Sequence, residues 1–449
     1  MARRIYLQSL GCPKNLVDSE QMLGLAARAG AEIVLDPADA DVLVVNTCGF
    51  IGEAKKESIE AILELAQLKQ SAPGKRLIVT GCLVQRYGSE LAQALPEVDG
   101  FLGTGDFTRL PELLDAPGTA DLSAYRHAAH LLPSIDVPRA RTGHFFSAYL
   151  KISEGCDHRC SFCIIPKIRG RHESKTLDGV IAEAEALVRD GVVELNLIAQ
   201  DLTAYGKDRR DGSSLSSLLQ RLAAIDGLRW IRLLYTYPRY VTDELLDTIA
   251  NEPKICRYID MPLQHISDTM LTRMRRERSG DAVRRLVSRM RARVPGLALR
   301  TSFIVGFPGE TDADFAELEA FIPAARFDNV GVFRYSREEG TEAATLDQQV
   351  SARVKQQRYH RLMTAQAGVA AALNRERVGS VQPVLVCGTN TAGRWYGRSP
   401  AQAPDIDGVV YLDGADTPGA IVDTTIVDAT IYDLEGCRAT PVDSAGDCL

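Results

Sequence analysis

Three cysteines stand within one eight-residue run, Cys156-Asp-His-Arg-Cys160-Ser-Phe-Cys163. Thiolates this close together can converge on one soft metal centre. A structural zinc ion takes four ligands, usually as two pairs, and no second pair lies nearby. Three thiolates fit a four-iron, four-sulfur (4Fe–4S) cluster in which one iron lacks a protein ligand. A small molecule can bind that open iron and be reduced there. His158, inside the run, reads as a solvent-facing loop residue rather than a further ligand.

A second set is spread more widely. Cys12, Cys48 and Cys82 are 36 and 34 residues apart, and each ends a strand-like piece: IYLQSLGC, VLVVNTC and LIVTGC. In a parallel sheet such ends share one edge, outside which ligands bind. A single strand-end cysteine is most simply a small buried hydrophobe. Three in register favour a second three-thiolate cluster. Cys256, Cys387, Cys437 and Cys448 show no such geometry and read as structural.

The elements that must position these thiols follow from periodicity. Residues 1–115 predict strands at 4–8, 41–45 and 76–80, with helices at 18–30, 51–69 and near 85–94. In the second helix Ile59, Ile62, Leu63 and Leu65 share a face. Strands alternating with helices imply a doubly wound parallel α/β sheet. Residues 116–143 are Pro- and Gly-punctuated and read as a linker. From 144 to 377 the alternation repeats, with strands at 145–152, 194–198, 230–235, 258–261, 299–305 and 329–334. Helices are expected at 177–189 and 313–323, and a long one at 351–377. Six βα units suit a partial parallel barrel, (βα)6, better than a flat sheet. Residues 378–445 hold short β pieces at 381–387, 408–412, 420–429 and 430–432, a small all-β barrel of about 65 residues.

A chain of 449 residues suits two or three domains. Its composition, 45% hydrophobic and 25% charged, excludes collagen-like, disordered and disulfide-scaffold classes. No run approaches the roughly 18 apolar residues of a membrane span, and the amino end lacks a signal-peptide pattern. A cytoplasmic protein with no membrane partner is expected, in a compartment where ten cysteines favour metal binding or catalysis over disulfides. The net charge of −7 is uneven: −4 over 1–143, +4 over 144–377 and −7 over 378–449. The last segment, with three basic and ten acidic residues, suits a basic partner better than a phosphate backbone. The run Arg273-Met-Arg-Arg-Glu-Arg278 reads as a solvated helix face.

The cysteine run at the head of a six-unit βα segment resembles the radical S-adenosylmethionine (SAM) superfamily. TSFIVGFPGET, residues 301–311, looks like its strand-and-glycine motif beside the SAM adenine. GCPKNLVDSE and VNTCGFI look like a methylthiotransferase amino-terminal domain, and the tail looks like a TRAM domain. EGCDHRCSFCIIPKIRGRHESK, DMPLQHISD and GRSPAQAPDIDGVVYL resemble the RimO type, which modifies a ribosomal protein; the sister MiaB type modifies tRNA adenosine and is the alternative. The resemblance implies two 4Fe–4S clusters, one on Cys156, Cys160 and Cys163 and an auxiliary one on Cys12, Cys48 and Cys82. It implies SAM contacts at Gln200, Asp201 and Gly306, with no acid–base catalytic residue identified. The implied transferase reaction starts from reductive SAM cleavage to a 5′-deoxyadenosyl radical. It places a methylthio group on the β-carbon of an aspartate in the twelfth small-subunit ribosomal protein. An electron donor such as a flavodoxin is implied, and nucleic acid is not the expected substrate. A non-catalytic iron–sulfur or zinc module is a third reading, and it leaves the SAM-like motifs unexplained.

Overall fold

The computed structural model describes residues 2–114, 137–276, 279–414 and 416–439. The amino-terminal sheet contains β1 (Arg4–Ser9), β2 (Glu32–Ile33), β3 (Val42–Thr47), β4 (Arg76–Gly81) and β5 (Gly100–Leu102), in the order β2-β1-β3-β4-β5, all parallel. Crossovers are α1 (Pro13–Arg28), α2 (Gly52–Ser71) and α3 (Cys82–Ala94), and α4 (Leu110–Leu114) follows. Every residue of β3 is buried, as a near-continuous apolar run requires when helices cover both sheet faces. On α2, Ile62 and Leu65 join that core with Ala61 and Ala66, but Ile59 and Leu63 are exposed. The buried stripe is therefore narrower than the predicted face. Ile59 lines a groove of about 620 Å³ between α2 and α3, with Leu83, Tyr87 and Leu91.

The expected linker falls mostly on residues 115–136, outside the described residues. Its last stretch crosses the domain junction. Arg139 pairs there with Glu20 at 2.5 Å and Glu183 at 3.5 Å.

The central sheet contains β6 (Ser147–Lys151), β9 (Glu194–Ile198), β10 (Trp230–Leu233), β11 (Ile255–Asp260), β12 (Ala298–Val305) and β13 (Asn329–Arg334). All are parallel and β6 and β13 are opposite edges, so the barrel is open, as six units imply. A two-stranded ribbon, β7 (Ser153–Glu154) with β8 (Glu173–Ser174), flanks α5 (Ile165–Arg169). Around the barrel run α6 (Leu177–Arg189), α7 (Leu215–Ala223), α8 (Asp243–Asn251), α9 (Asp268–Arg273), α10 (Gly280–Arg293) and α11 (Asp312–Ala325). The long α12 (Ala352–Arg377) packs beside α11 and β13 and leads to the last domain.

That domain is a closed barrel of β14 (Val381–Thr389), β15 (Trp395–Arg398), β16 (Val410–Asp413), β17 (Ile421–Ala429) and β18 (Leu434–Arg438), in the order β14-β15-β16-β18-β17. The strand expected at 430–432 is a turn. Thr430 and Asp433 bond each other's backbones there, and the strand begins at Leu434. β15 lies in a stretch to which the apolar pattern assigns no element. The small barrel plugs the amino-terminal ends of the central strands. Leu385, Cys387 and Ala403 pack with Trp230, Cys256 and Tyr258. Fully buried Glu194 accepts from Arg398 at 2.5 and 3.0 Å and from Arg232 at 3.2 Å. Cys256, Cys387 and Cys437 are buried; Cys448 and residues 440–445 lie outside the described residues.

Candidate metal centres

Cys12 is the N-cap of α1, Cys48 follows β3, and Cys82 opens α3 directly after β4. All three thiols are free and lie at the carboxyl edge of one sheet. The loops that carry them nest without room for a methyl group. A Cβ on Gly11 would lie 2.8 Å from Cys48 Cβ, and one on Gly49 would lie 2.7 Å from the Cys82 carbonyl oxygen. Gly81 has φ +99°, a left-handed conformation that favours glycine. Its Cβ would overlap Asn46 Oδ1. Asn15 ties the edge together, donating to the carbonyls of Leu10 and Thr47 at 3.0 Å each.

The second thiol set lies in the loop between β7 and α5. Gly155, at φ +76°, turns the chain where a Cβ would overlap the Arg171 carbonyl oxygen. Cys156 N–H then donates to the Gly170 carbonyl at 3.0 Å, and Cys163 N–H to the Cys160 carbonyl at 3.1 Å. His158 is not a solvent-facing residue. Its ring stacks on Tyr237 at 3.7 Å, and Nε2 meets Asp201 Oδ2 at 2.7 Å, because Asp201 offers a carboxylate from the end of the neighbouring strand. The basic run is not a plain solvated face either. Arg273 donates to the Pro308 carbonyl at 3.0 Å. Arg276 stacks over Tyr237 at 4.2 Å and donates to Cys160 Sγ at 3.6 Å. Glu277 and Arg278 lie outside the described residues.

The chain that follows the second set packs on the first at the junction. Cys82 packs with Ile164 and Ile168, which closely follow Cys163. Thr104 Oγ1 donates to the Ile168 carbonyl at 3.0 Å. Arg169 is buried and crosses between the domains, bonding Asn15, Asp18 (2.8 Å), Glu154 (3.0 Å) and Cys82 Sγ (3.6 Å). Lys151 joins it on Asp18 at 2.5 Å and Glu154 at 2.7 Å. Burial pushes Glu154 up, but Arg169 and Lys151 outweigh it and hold the carboxyl well below the usual range. Sequence reasoning missed Arg169, Asp18 and Lys151. A buried charge quartet leaves no periodic signal, and only charged residues inside apolar strands could have hinted at it.

Lys14 reaches from α1 to the barrel mouth, where its Nζ sits 2.9 Å above the centre of the Tyr235 ring. Burial lowers this ammonium to about 8. Gln200 donates to Glu154 at 2.5 Å, while its buried Oε1 finds no partner among the described residues. Asp201 uses Oδ1 to cap the turn at Thr203 (2.9 Å) and Oδ2 for His158. Gly306 has φ +71° and abuts Lys355, and its N–H donates to Glu310. Arg358 (2.6 Å) and His265 (3.1 Å) hold Glu310 in place.

The donor chemistry fits iron–sulfur clusters. Burial pushes Cys48, Cys156 and Cys163 up to about 12. Thiolates in such places need a strongly cationic partner, which cluster irons supply. Among the described residues no three His, Cys, Asp or Glu side chains are close enough to hold a single metal ion. Ligands of a four-iron cluster each take a different iron and need not meet at one point.

Residues 4–103 match a family described as "Uncharacterized protein family UPF0004", residues 150–322 the radical SAM superfamily and residues 378–438 a TRAM domain. A ribosomal protein uS12 methylthiotransferase RimO from Pelobacter propionicus is 51% identical over 438 residues, 97% of each chain. The chain belongs to the RimO family. A RimO from Geobacter sulfurreducens is 50% identical over 437 residues, 96% of this chain and 98% of its own. Among solved structures, the radical SAM methyltransferase TsrM from Kitasatospora setae, with cobalamin and a [4Fe-4S] cluster bound, covers 85% of this chain and 81% of its own. It superimposes with a TM-score of 0.56 at 16% identity, which shows a shared fold. Radical SAM chemistry gives the RimO family SAM and 4Fe–4S clusters as cofactors.

Proposed function

We propose that the chain is a methylthiotransferase acting on the β-carbon of an aspartate in ribosomal protein uS12. The observation that carries this reading is that the chain just after one thiol set packs on a thiol of the other. Cys82 packs on Ile164 and Ile168 beside Cys163, which suits a reaction needing both a radical source and a sulfur source within one closed space.

In this reading Cys156, Cys160 and Cys163 hold the cluster that binds SAM, and Cys12, Cys48 and Cys82 hold the auxiliary one. When bound, the first supplies the electron that cleaves SAM and the second presents the sulfur. The protein's own contribution is positioning and dryness. Gln200 offers SAM an unpartnered buried oxygen, and Gly306, with Lys355 packed where its Cβ would stand, shapes the turn beside that site. Asp201 acts from behind, fixing His158 and with it the cysteine loop. Arg169 and Lys151 fasten the two domains across Asp18 and Glu154. The small barrel shuts the far end of the lumen, so the substrate side chain meets the clusters away from bulk water.

Residues 378–449, with three basic and ten acidic side chains, suit a basic ribosomal protein rather than nucleic acid. A cytoplasmic setting and a flavodoxin-type electron donor complete the reading. No helix among the described residues is long and apolar enough to cross a membrane. The test is mass spectrometry of small-subunit proteins and tRNA nucleosides from cells with and without the gene. Loss of a methylthio mass from uS12 alone supports the proposal, whereas loss from an adenosine moves the enzyme to the MiaB reaction.

A further inference from the structure

We propose that Lys14 receives the carboxylate of the substrate side chain and so restricts the reaction to an acidic residue. The inference rests on the uS12 reading above.

Four other cations line the lumen around Lys14, and all four are already committed. Lys151 and Arg169 share Asp18 and Glu154. Arg300 pairs with Asp260 at 2.8 Å. Arg276 is bonded to the Pro262 carbonyl and to Cys160 Sγ. Among the described residues of this group, Lys14 alone has no anionic or hydrogen-bonding partner. It is 7% exposed, yet among the described residues no carboxylate lies within 4.0 Å of its Nζ, and its side chain donates no hydrogen bond. A buried ammonium with three unspent donors is costly unless something arrives to accept them.

Its support is built for the purpose. Tyr235, whose ring face carries the ammonium, has φ +62° without being a glycine. Such a conformation persists only when its surroundings impose it, and it clusters at ligand sites. Here Asp260 Oδ2 accepts from Tyr235 N–H at 3.1 Å and Leu202 N–H donates to its carbonyl at 2.9 Å. The ring is thereby fixed at the carboxyl end of β10, where barrel enzymes place their chemistry. Lys14 stands two residues from Cys12 in the chain, and its ammonium lies close enough to interact with the Cys12 thiol. A carboxylate bound by Lys14 therefore brings the adjacent β-carbon to the auxiliary thiol set. An amide of the same shape would lack the charge that Lys14 selects.

The test uses holoenzyme with both clusters loaded, SAM and dithionite. Two synthetic peptides span the modified segment of uS12, one with aspartate at the target position and one with asparagine. The readout is the ratio of kcat/KM for the two. This ratio does not depend on the fraction of active enzyme, so partial loss of fold or cluster cancels. The wild type should prefer aspartate by about 100-fold or more, the discrimination expected of a buried charge pair. Lys14→Gln should bring the ratio below about 5, and Lys14→Arg should keep most of it. Where Lys14→Gln turns over too slowly, the affinities of the two peptides for unreduced, SAM-bound holoenzyme give the same ratio. A Lys14→Gln ratio equal to that of the wild type overturns the proposal, as does a wild type that does not distinguish the peptides. A wild type inactive on both, while still cleaving SAM, instead overturns the uS12 reading on which the proposal stands.

Discussion

Glu194→Gln should loosen the small barrel from the central one. Glu194 is fully buried at the start of β9, and its two oxygens take Arg398 at 2.5 and 3.0 Å, Arg232 at 3.2 Å and Ser147 Oγ at 2.8 Å. Burial alone would raise its carboxyl. Arg398 and then Arg232 outweigh that and lower it from 4.5 to about 2. A depression of that size corresponds to about 3 kcal/mol at neutral pH. Removing one partner of a buried ion pair typically costs about 3–5 kcal/mol, so the two routes agree. The sign follows from the direction. The folded value is depressed, so the stabilisation is complete above the unfolded value of 4.5 and is lost as pH falls toward 2. The glutamine keeps one acceptor, but its NH2 faces Arg398 and two guanidiniums stay buried without a counter-charge. Hydrogen exchange read by mass spectrometry is the assay. Backbone amides of β15, and of β14 beside it, should exchange about 100-fold faster at pH 7, while those of β3 and β4 stay unchanged. Acid loosening of the wild-type junction between pH 5 and 2 should be blunted in the variant. Exchange of β15 within threefold of the wild type would refute the claim that this pair holds the junction.

Replacing Cys12, Cys48 or Cys82 with alanine should abolish methylthiolated product while reductive SAM cleavage persists; loss of cleavage with the first cluster intact would break the division of labour. Gly81→Ala should lower bound iron by about half and spare SAM cleavage, because its Cβ meets Asn46 and Thr47 beside the amino-terminal thiols. Gly155→Ala should do the reverse, removing SAM cleavage as the loop carrying Cys156 is displaced. Iron analysis and 5′-deoxyadenosine quantification separate the two. Asp201→Asn should weaken the hold on His158 and slow SAM cleavage about tenfold, without changing preference between aspartate and asparagine peptides.

Parallel βα units announce themselves through apolar runs such as VLVVNT, so β3, β9 and β13 lie at or within one or two residues of their expected places. The strand-end placement of Cys12, Cys48 and Cys82 was legible for the same reason. Less legible was anything set by polar burial. Asp18 and Lys151 give no signal in the apolar pattern, yet each is below 5% exposed because it answers the other across a domain junction. His158 was misread because its partners, Asp201 and Tyr237, are distant in sequence. In the small barrel, β15 is four residues of mixed character, WYGR, too short for an alternation to register.

The burial of Cys48 and Cys82, 9% and 6% exposed, also fixes a sequence in time. The amino-terminal sheet has its own apolar cores and leaves the ribosome first. Until the central barrel is made, nothing covers its cysteine edge. Once Arg169, Ile164 and Ile168 have docked, Cys48 and Cys82 are covered and Cys12 stays half-buried. A cluster on Cys12, Cys48 and Cys82 would therefore load most readily before that docking, during synthesis or a transient opening. Purified apoprotein should accordingly fill its second site more slowly than its first.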